Sequence, residues 1–266
     1  MRLWDLETRK ARMLSETGGA LCLAFDRAGE RLAAGSADSV LVWDVRASAD
    51  EAQSQPVTFR GHERPVRQIL FSPDGRRLLS GSFDGTVRIW DLSRPDKQTP
   101  VAIVRHSGDI NSLDLSADGH ILATASRDQT VGLWDAATGA ILHRLTGHNS
   151  EVESVSLTRN GEVVASAAQD GSAMLWDVKT GREILTLRRS ATLVAFSPTG
   201  PLLATAGGPS HRVTLWNVSM DMWADRACSI ANRNFTCDEW RQYMADSRYQ
   251  PVCPRLPSPR ECAVGK

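Results

Sequence analysis

The sequence predicts an all-β protein assembled from repeated small antiparallel sheets and followed by a short helical extension. Three observations indicate this fold class. A Trp-Asp pair recurs about every 42 residues, which is the signature of a repeat architecture. Short apolar strands alternate with turns rich in Gly and Pro inside each interval, and the spacing of apolar residues becomes helical after Ser219.

The Trp-Asp pairs set the length of the repeat. Successive pairs are separated by 39, 47, 44, 42 and 40 residues. The longest interval contains a polar loop from Ala47 to Pro56, which we interpret as an insertion between strands. Five pairs are complete and the last copy is imperfect: Trp4-Asp5, Trp43-Asp44, Trp90-Asp91, Trp134-Asp135, Trp176-Asp177 and Trp216-Asn217.

Each interval has the same internal order of strands and turns. The strand from Val66 to Phe71 precedes a Pro-Asp-Gly turn, a small-residue strand from Leu78 to Ser82, an Asp-Gly turn and a strand ending at Trp90. Pro restricts one backbone dihedral and Gly accepts the left-handed region, so these turns are compatible with antiparallel pairing. A lone four-stranded sheet cannot bury both faces, so successive sheets must stack radially as the blades of a β-propeller.

The pattern resembles the WD-repeat family over residues 1–218. In that family each repeat carries a Gly-His pair, a turn bearing Asp and a terminal Trp-Asp. Gly61-His62 and Gly147-His148 match this pattern fully, whereas His106 follows Arg105 instead of Gly. The first and last units lack the His, and residues 207–210 replace the Asp turn before Trp216. The resemblance implies five blades of three to four strands plus a partial N-terminal blade.

Three repeats carry the same four polar side chains, which we predict to form a hydrogen-bonded structural network. A buried indole N–H requires an acceptor, and a hydroxyl, an imidazole and a carboxylate can continue the chain of hydrogen bonds to the turn. The resemblance to WD proteins implies the same tetrads. A Ser-His-Asp hydrolase is the alternative, but three equivalent copies, one with Thr in place of Ser, favour a structural role. The tetrads are His62, Ser80, Asp84 and Trp90; His106, Thr124, Asp128 and Trp134; and His148, Ser166, Asp170 and Trp176.

The two ends of the repeat region leave the closure of the ring open. Residues 1–5 are predicted to form the third strand of a blade and residues 9–14 its fourth strand. Either residues 9–14 pair with residues 213–216 to close a five-blade ring, or the chain is the C-terminal part of a larger, typically seven-bladed propeller. We favour the second arrangement, because a third-type strand has no role in a closed five-blade ring. The blades ending at Trp43 and Trp216 should be looser, since both lack the His and Ala34 replaces one hydroxyl.

Residues 219–246 are predicted to form two short helices, and residues 247–266 a Pro-rich extended tail. Trp223, Ala227 and Ile230 make an apolar stripe, and Thr236 with Glu239 forms a capping box for the second helix. This segment resembles the C-terminal part of bacterial STAND-type NTPases that end in WD repeats. The residues that carry the resemblance are Cys228, Arg233-Asn234, Thr236, Glu239-Trp240, Tyr249 and Cys253-Pro254. It implies a sensor attached to an ATPase or effector domain.

The cysteines are expected to be reduced thiols. Cys228, Cys237, Cys253 and Cys262 are 9, 16 and 9 residues apart, without the short chelating loops of structural zinc sites. Zinc binding and a disulfide between Cys228 and Cys253 are the alternatives. Because cytosolic disulfides are uncommon, we predict no metal and no disulfide in this chain.

The composition makes nucleic acid and membranes unfavoured partners. Lys plus Arg and Asp plus Glu both number 31, so no net field attracts the chain to an anionic surface. No apolar run is long enough for a spanning helix, and the N-terminus has no leader pattern, which predicts a cytoplasmic protein. No cofactor-binding motif is present, and a Walker motif is absent.

The function predicted from these features is a non-catalytic scaffold for protein–protein interaction or sensing. In propellers, partners commonly bind the face that carries the loops before the first strand and the second-to-third turns. The candidate partner-binding residues on that face are Glu63, Arg64, Phe83, Asp109, Arg127, Glu151 and Gln169. A non-functional or truncated gene fragment is one alternative. An enzyme is another, but the inner strands supply Arg67, Gln68, Asp114 and Glu153 without a repeated ligand set.

Overall fold

The computed structural model describes residues 1–14, 19–46, 55–94, 96, 98–188, 191–208 and 212–219. These residues form an all-β fold, as the sequence predicts. The first two strands, β1 (Arg2–Trp4) and β2 (Ala11–Met13), pair as an N-terminal hairpin. Blade 1 follows with β3 (Cys22–Phe25), β4 (Arg31–Gly35), β5 (Ser39–Asp44) and β6 (Val57–Arg60).

The remaining blades follow in chain order, and the strands of each sheet neighbour one another in that same order. Blade 2 contains β7 (Val66–Phe71), β8 (Arg77–Ser82), β9 (Thr86–Asp91) and β10 (Ala102–Arg105). Blade 3 contains β11 (Ile110–Leu115), β12 (Ile121–Ser126), β13 (Val131–Asp135) and β14 (Ile141–Leu145). Blade 4 contains β15 (Val152–Leu157), β16 (Val163–Ala168), β17 (Ser172–Asp177) and β18 (Glu183–Arg188). Blade 5 has three strands, β19 (Leu193–Phe196), β20 (Leu202–Gly207) and β21 (Arg212–Asn217).

The tight turns inside the blades use the left-handed backbone region. Gly85 and Gly171 have φ of 78° in the turns between the second and third strands of blades 2 and 4. Gln129 occupies the equivalent position in blade 3 with a φ of 71°. This conformation brings the Cβ of an L-residue close to the backbone, so the turn of blade 3 is locally strained.

The core of the protein lies between neighbouring blades. One apolar cluster joins blades 1 and 2 through Val42, Phe59 and Trp90, a second joins blades 2 and 3, and a third joins blades 3 and 4. The Phe59 and Trp90 rings are 5.3 Å apart between centroids. Blades 1 to 4 therefore bury apolar faces against one another, which is the stacking that the repeat pattern predicts.

Hydrogen bonds also connect the inner strands of successive blades. The Gln68 amide accepts from the Leu113 N–H at 2.9 Å and donates to the Leu113 carbonyl at 3.0 Å. The Ser154 hydroxyl makes the matching pair with the backbone of Val194, at 3.2 and 3.3 Å. Gln68 and Ser154 occupy the same position of the repeat. Each one satisfies a backbone N–H and a backbone carbonyl at the edge of the inner strand in the next blade.

The N-terminal hairpin resolves one alternative from the sequence. Residues 9–14 were one candidate to pair with residues 213–216, but Trp4 pairs with Ala11 and β2 belongs to the sheet of β1. The pairing that would close a five-blade ring is therefore wrong for the described strands. Trp4 is 57% exposed, whereas the tryptophans near the end of the third strand of blades 1 to 4 are buried.

Contacts between residues divide the chain into two units. The first comprises Met1–Thr199 and Ala204–Leu215, and the second comprises Gly200–Leu203 and Trp216–Lys266. In the second unit, the Val218 N–H donates to the Pro201 carbonyl at 2.7 Å. The predicted helical extension and Pro-rich tail, the four C-terminal cysteines and most of the predicted 47–56 loop lie outside the described residues.

Candidate interaction surface

The four polar side chains of each predicted tetrad are hydrogen-bonded to one another. In blade 2, the Trp90 indole donates to the Ser80 hydroxyl at 2.9 Å, and His62 Nε2 lies 2.8 Å from the same oxygen. His62 Nδ1 lies 2.8 Å from Asp84 Oδ2, and Thr86 donates to the other carboxylate oxygen at 2.6 Å. The chain therefore runs from the buried indole to the turn between the second and third strands.

Blade 3 repeats this geometry with Thr in place of Ser. The Trp134 indole donates to Thr124 Oγ1 at 2.9 Å, and His106 lies 2.7 Å from Thr124 and 2.9 Å from Asp128. The Arg144 guanidinium also lies 3.3 Å from Asp128 Oδ2 and adds a charged contact to this tetrad.

In blade 4 the histidine is held less closely by its carboxylate. Trp176 donates to Ser166 at 2.8 Å and His148 Nε2 lies 2.8 Å from the same hydroxyl. The distance from His148 Nδ1 to Asp170 Oδ2 is 3.3 Å, and Ser172 shares that nitrogen at 3.1 Å. Blade 4 thus has the same connectivity with a longer histidine–carboxylate contact.

Burial and hydrogen bonding shift the pKa values of the tetrads in characteristic directions. Burial alone would raise the pKa of the Asp84 carboxyl, but hydrogen bonds from His62 and Thr86 outweigh it and hold the pKa well below its usual range. Hydrogen bonds overcome burial in the same way at Asp128 and Asp170. Burial lowers the pKa of His148, and the neighbouring Asp170 charge only partly opposes that shift. The blade 4 tetrad is therefore built around a neutral imidazole.

The tetrad hydroxyls are not placed to attack a substrate. Ser80, Thr124 and Ser166 are 0% exposed, and each already accepts the indole hydrogen bond. A nucleophilic hydroxyl must reach a substrate carbonyl beside an oxyanion hole. The geometry in these three blades therefore gives no support to the Ser-His-Asp hydrolase alternative.

Blade 1 shows what the packing looks like without the network. Trp43 is 2% exposed, and among the described residues its indole Nε1 has no hydrogen-bond partner. Ala34 occupies the position of the hydroxyl and pairs with Leu41 in the strand register. An unsatisfied buried N–H costs stability, so this blade carries a penalty that blades 2 to 4 avoid.

The candidate partner-binding residues are brought together by backbone hydrogen bonds at one end of blades 2 to 4. In each blade, the turn between the second and third strands donates an N–H to the loop before the inner strand. The three bonds are Phe83 N–H to Pro65 O at 3.0 Å, Arg127 N–H to Asp109 O at 2.9 Å, and Gln169 N–H to Glu151 O at 2.9 Å. The repeat therefore places the two groups of loops side by side, as the sequence predicts.

Four of these residues form a chain of alternating charge across three blades, which we call the interaction surface. Arg64 Nη1 lies 2.7 Å from Asp109 Oδ1, and Arg127 lies 3.8 Å from the other Asp109 oxygen. Arg127 Nε then lies 2.6 Å from Glu151 Oε1. The side chains of Arg64 and Arg127 remain 54% and 58% exposed, so both guanidinium groups are ordered yet accessible.

The other three candidates occupy different surroundings. Phe83 is half-buried, with the Arg64 guanidinium 5.8 Å from its ring centroid, so its ring is less exposed than the sequence suggests. Glu63 is exposed, and its backbone N–H donates to Asp84 at 3.1 Å. Gln169 donates to Glu153 at 2.6 Å, a contact that sequence reasoning missed because Glu153 lies in a β-bulge at the start of β15.

Two of the inner-strand residues considered for an enzyme, Asp114 and Gln68, make hydrogen bonds between blades. The Asp114 carboxylate accepts N–H groups from Leu115 at 2.8 Å and Leu157 at 2.7 Å, and burial raises its pKa. Gln68 is occupied by the backbone of Leu113. Among the described residues no group of three His, Cys, Asp or Glu side chains could hold a metal ion. None of the described residues forms a helix that could span a membrane.

Three segments match a known repeat family. The sequence model for WD40 (WD domain, G-beta repeat) matches residues 53–91, 98–135 and 139–177. Each match ends on the Trp-Asp pair at the end of the third strand of blade 2, 3 or 4.

Several curated proteins are similar to part of this chain. WD repeat and HMG-box DNA-binding protein 1 of Mus musculus is 45% identical over 78 residues, which is 29% of this chain and 6% of that protein. The COMPASS component SWD1 of Saccharomyces cerevisiae is 40% identical over 81 residues, which is 29% of this chain and 18% of that protein. Nuclear distribution protein PAC1 of Ajellomyces capsulatus is 45% identical over 71 residues, covering 26% of this chain and 14% of that protein. The matches thus span less than a fifth of the length of these relatives.

A solved structure has the same fold. A chain in the structure titled "Crystal Structure of Mitotic Checkpoint Complex" superimposes with a TM-score of 0.72 and 23% sequence identity. The match covers 82% of this chain and 68% of that chain. Similarity at this level of identity concerns the arrangement of the strands.

Proposed function

We propose that this chain, a WD-repeat β-propeller, acts as a non-catalytic scaffold for protein–protein interaction or sensing. Its partner would bind the interaction surface of Arg64, Asp109, Arg127 and Glu151. The observation that supports this proposal is the continuous chain of charge across blades 2, 3 and 4. Because the surface spans three blades, a partner that binds it contacts all three blades at once.

The two arginines of the surface are well suited to contact a protein. Each guanidinium is held by a carboxylate, so part of the entropy cost of ordering the side chain is already met before a partner arrives. Both side chains are more than half exposed and keep donors available for a second acceptor. Arginine and aromatic side chains are enriched among residues that dominate binding energies, and here Arg64 lies over Phe83.

The same charges argue for a protein partner and against nucleic acid or a membrane. Arg64 and Arg127 are both paired with carboxylates, so the surface is not a basic patch that would release counterions from phosphates. A protein surface of mixed charge can complement the alternating pattern. We therefore propose protein partners and no cofactor.

The test is affinity capture from an extract of the source cell, with the captured proteins identified and quantified. A variant carrying Arg64→Ala and Arg127→Ala is compared with the wild type and with Arg182→Ala. Arg182 is a matched control because it is exposed and lies in the turn between the last two strands of blade 4. We expect one captured protein to be reduced at least about tenfold by the double variant and unchanged by the control, since rim and anchor arginines each contribute on the order of 1 kcal/mol or more.

Controls distinguish the loss of a direct contact with the partner from other causes of reduced capture. Equal melting temperatures of the three proteins exclude unfolding as the cause. Equal capture by the wild type and the double variant would show that the partner does not use this surface. Addition of duplex DNA to the assay separates nucleic-acid bridging from direct protein contact.

The finer proposal is that the propeller is the sensor part of a cytoplasmic, bacterial multidomain signalling protein. It rests on the sequence resemblance of the segment that contains Cys228, Arg233-Asn234 and Glu239-Trp240. The relatives described above are eukaryotic, so they do not support this part of the proposal. Reading the genomic sequence upstream of the codon for Met1 tests it, because an in-frame nucleotide-binding domain is the expected result.

A further inference from the structure

A cavity lies at the opposite end of the inner strands from the interaction surface. Its volume is about 430 Å³. The last residues of β11, β15 and β19 form its inner wall, and the turns that follow the inner strands form its mouth. The wall residues are Leu115, Leu157 and Phe196, with Asp114 and Ser156 beside them. This end of the strands takes no part in the function proposed above.

The mouth of the cavity is built from one repeated turn position. In blades 1 to 5 the first residue of this turn is Arg27, Pro73, Ala117, Arg159 and Pro198, and all five line the cavity. The turns are held by the residue that precedes this position. For example, the Ser72 hydroxyl accepts the Arg77 N–H at 2.9 Å, and the Ser116 hydroxyl accepts the Ile121 N–H at 2.9 Å. The repeat therefore presents two arginines, from blades 1 and 4, to the same cavity.

The carboxylates at this end already have donors. Asp74 accepts from the Ser72 hydroxyl at 2.5 Å, and Asp118 accepts from the Ser116 hydroxyl at 2.5 Å. Asp114 in the cavity wall accepts two backbone N–H groups. In the part of the chain that the structure describes, neither Arg27 nor Arg159 makes a hydrogen bond or an ion pair. The groups at the mouth that remain free to bind a ligand are therefore the two cationic guanidinium groups.

We propose that this cavity binds a phosphate group, with Arg27 and Arg159 as its ligands. A guanidinium presents two parallel N–H donors that match the oxygens of a phosphate, and two guanidiniums match its double charge. The phosphate can come from a free phosphate compound or from a phosphorylated side chain of a protein. Pro73 and Pro198 offer an apolar rim to whatever carries the phosphate group.

Calorimetric titration of the full chain with inorganic phosphate at low ionic strength tests the proposal. We expect saturable binding that Arg27→Gln and Arg159→Gln each weaken at least about tenfold, because each removes a charge-assisted bidentate contact. Arg76→Gln is the matched control: Arg76 is exposed and follows the same turn in blade 2, but it does not line the cavity. The control variant should bind phosphate like the wild type.

A variant with the opposite expected effect makes the test sharper. Asp114→Asn removes the only carboxylate that lines the cavity among the described residues, so it should strengthen phosphate binding. The proposal is overturned if phosphate shows no saturable binding, or if Arg76→Gln weakens binding as much as Arg27→Gln does. Melting temperatures of all variants confirm that the fold is retained.

A second titration distinguishes the two sources of the phosphate. A short phosphoserine peptide and its unphosphorylated form are compared with inorganic phosphate. Tighter binding of the phosphopeptide, dependent on Arg159, identifies a protein source. Equal binding of phosphopeptide and inorganic phosphate identifies a free phosphate compound. Failure of either titration leaves the capture experiment on the interaction surface unaffected, since the two sites lie at opposite ends of the inner strands.

Discussion

Blades 1 and 2 bury the same tryptophan in two different ways. Trp90 of blade 2 is 1% exposed and donates to Ser80, whereas Trp43 of blade 1 is 2% exposed and has no partner for its indole N–H in the part of the chain that the structure describes. Both rings occupy the same position of the strand register, opposite Leu78 and Leu32. Packing between blades therefore buries the indole with or without the tetrad. The tetrad contributes hydrogen bonds and therefore affects stability separately from burial.

The largest effect is expected from Ser80→Ala, which makes blade 2 resemble blade 1. The change leaves the Trp90 indole and His62 Nε2 without their shared partner in a buried site. Each unsatisfied polar group costs about 1–3 kcal/mol, so the free energy of unfolding should fall by about 2–6 kcal/mol for the two groups. Denaturant unfolding measures it, and a loss below about 0.5 kcal/mol would contradict a stabilising tetrad.

The next effect is a pH dependence that blade 4 has and blade 1 lacks. Burial lowers the pKa of His148 in the folded chain, so below about pH 6.5 the unfolded chain binds more protons. Stability is then lost as the pH falls through that value, by up to about 1.4 kcal/mol per pH unit. The lowered pKa values of Asp84 and Asp128 add a second loss below about pH 4.

Unfolding of His148→Gln measured from pH 7.5 to pH 5, a range of about 2.5 units around the usual histidine pKa, checks this expectation. The slope should be smaller than in the wild type. His120→Gln, at an exposed turn, is the control for loss of any histidine. Identical slopes for the wild type and His148→Gln would show that this imidazole is not the source of the pH dependence.

A gain of about 1 kcal/mol is expected from Ala34→Ser, which adds the missing acceptor to blade 1. The new hydroxyl would stand where Ser80 stands in blade 2 and accept the Trp43 indole N–H. Ala33→Ser is the matched control, because Ala33 is equally buried and its side chain points to the other face of the strand. The control should lose stability. A loss in both variants would show that the indole in blade 1 cannot use the acceptor.

The smallest effect concerns the turn that differs among the tetrad blades. Gln129→Gly should raise the free energy of unfolding by about 0.5–1 kcal/mol, because glycine adopts the left-handed region without strain. The reverse change in blade 2, Gly85→Gln, should lower it by a similar amount or more, since the Cβ would lie about 3.1 Å from backbone oxygens of blade 3. Thermal unfolding of both variants measures the pair. Equal stability of Gln129→Gly and the wild type would mean that the turn of blade 3 is unstrained.

Much of the fold was predictable from residues that repeat in register. The Trp-Asp period predicted the blades, and the predicted strands ending at Trp43, Trp90 and Trp134 match β5, β9 and β13 to within one residue. The choice of Ser80 as the hydroxyl follows from a position that keeps a hydroxyl in every tetrad, and this residue does receive the Trp90 indole. These features are local, because the hydrogen-bonded residues of a tetrad belong to one repeat and the strand register sets the distances between them.

The sequence by itself determined the blades, their turns and the residues of each tetrad, because period-2 alternation and turn chemistry act over short distances. Only the tertiary structure decided which loops meet between blades. Arg64 pairs with Asp109, 45 residues away, and Arg27 and Arg159 share one cavity although blades 2 and 3 lie between them along the chain. The half-burial of Phe83 beneath Arg64 likewise depends on side-chain rotamers. Such contacts depend on the rotation of each blade against the next, and no short-range pattern in the sequence encodes that angle.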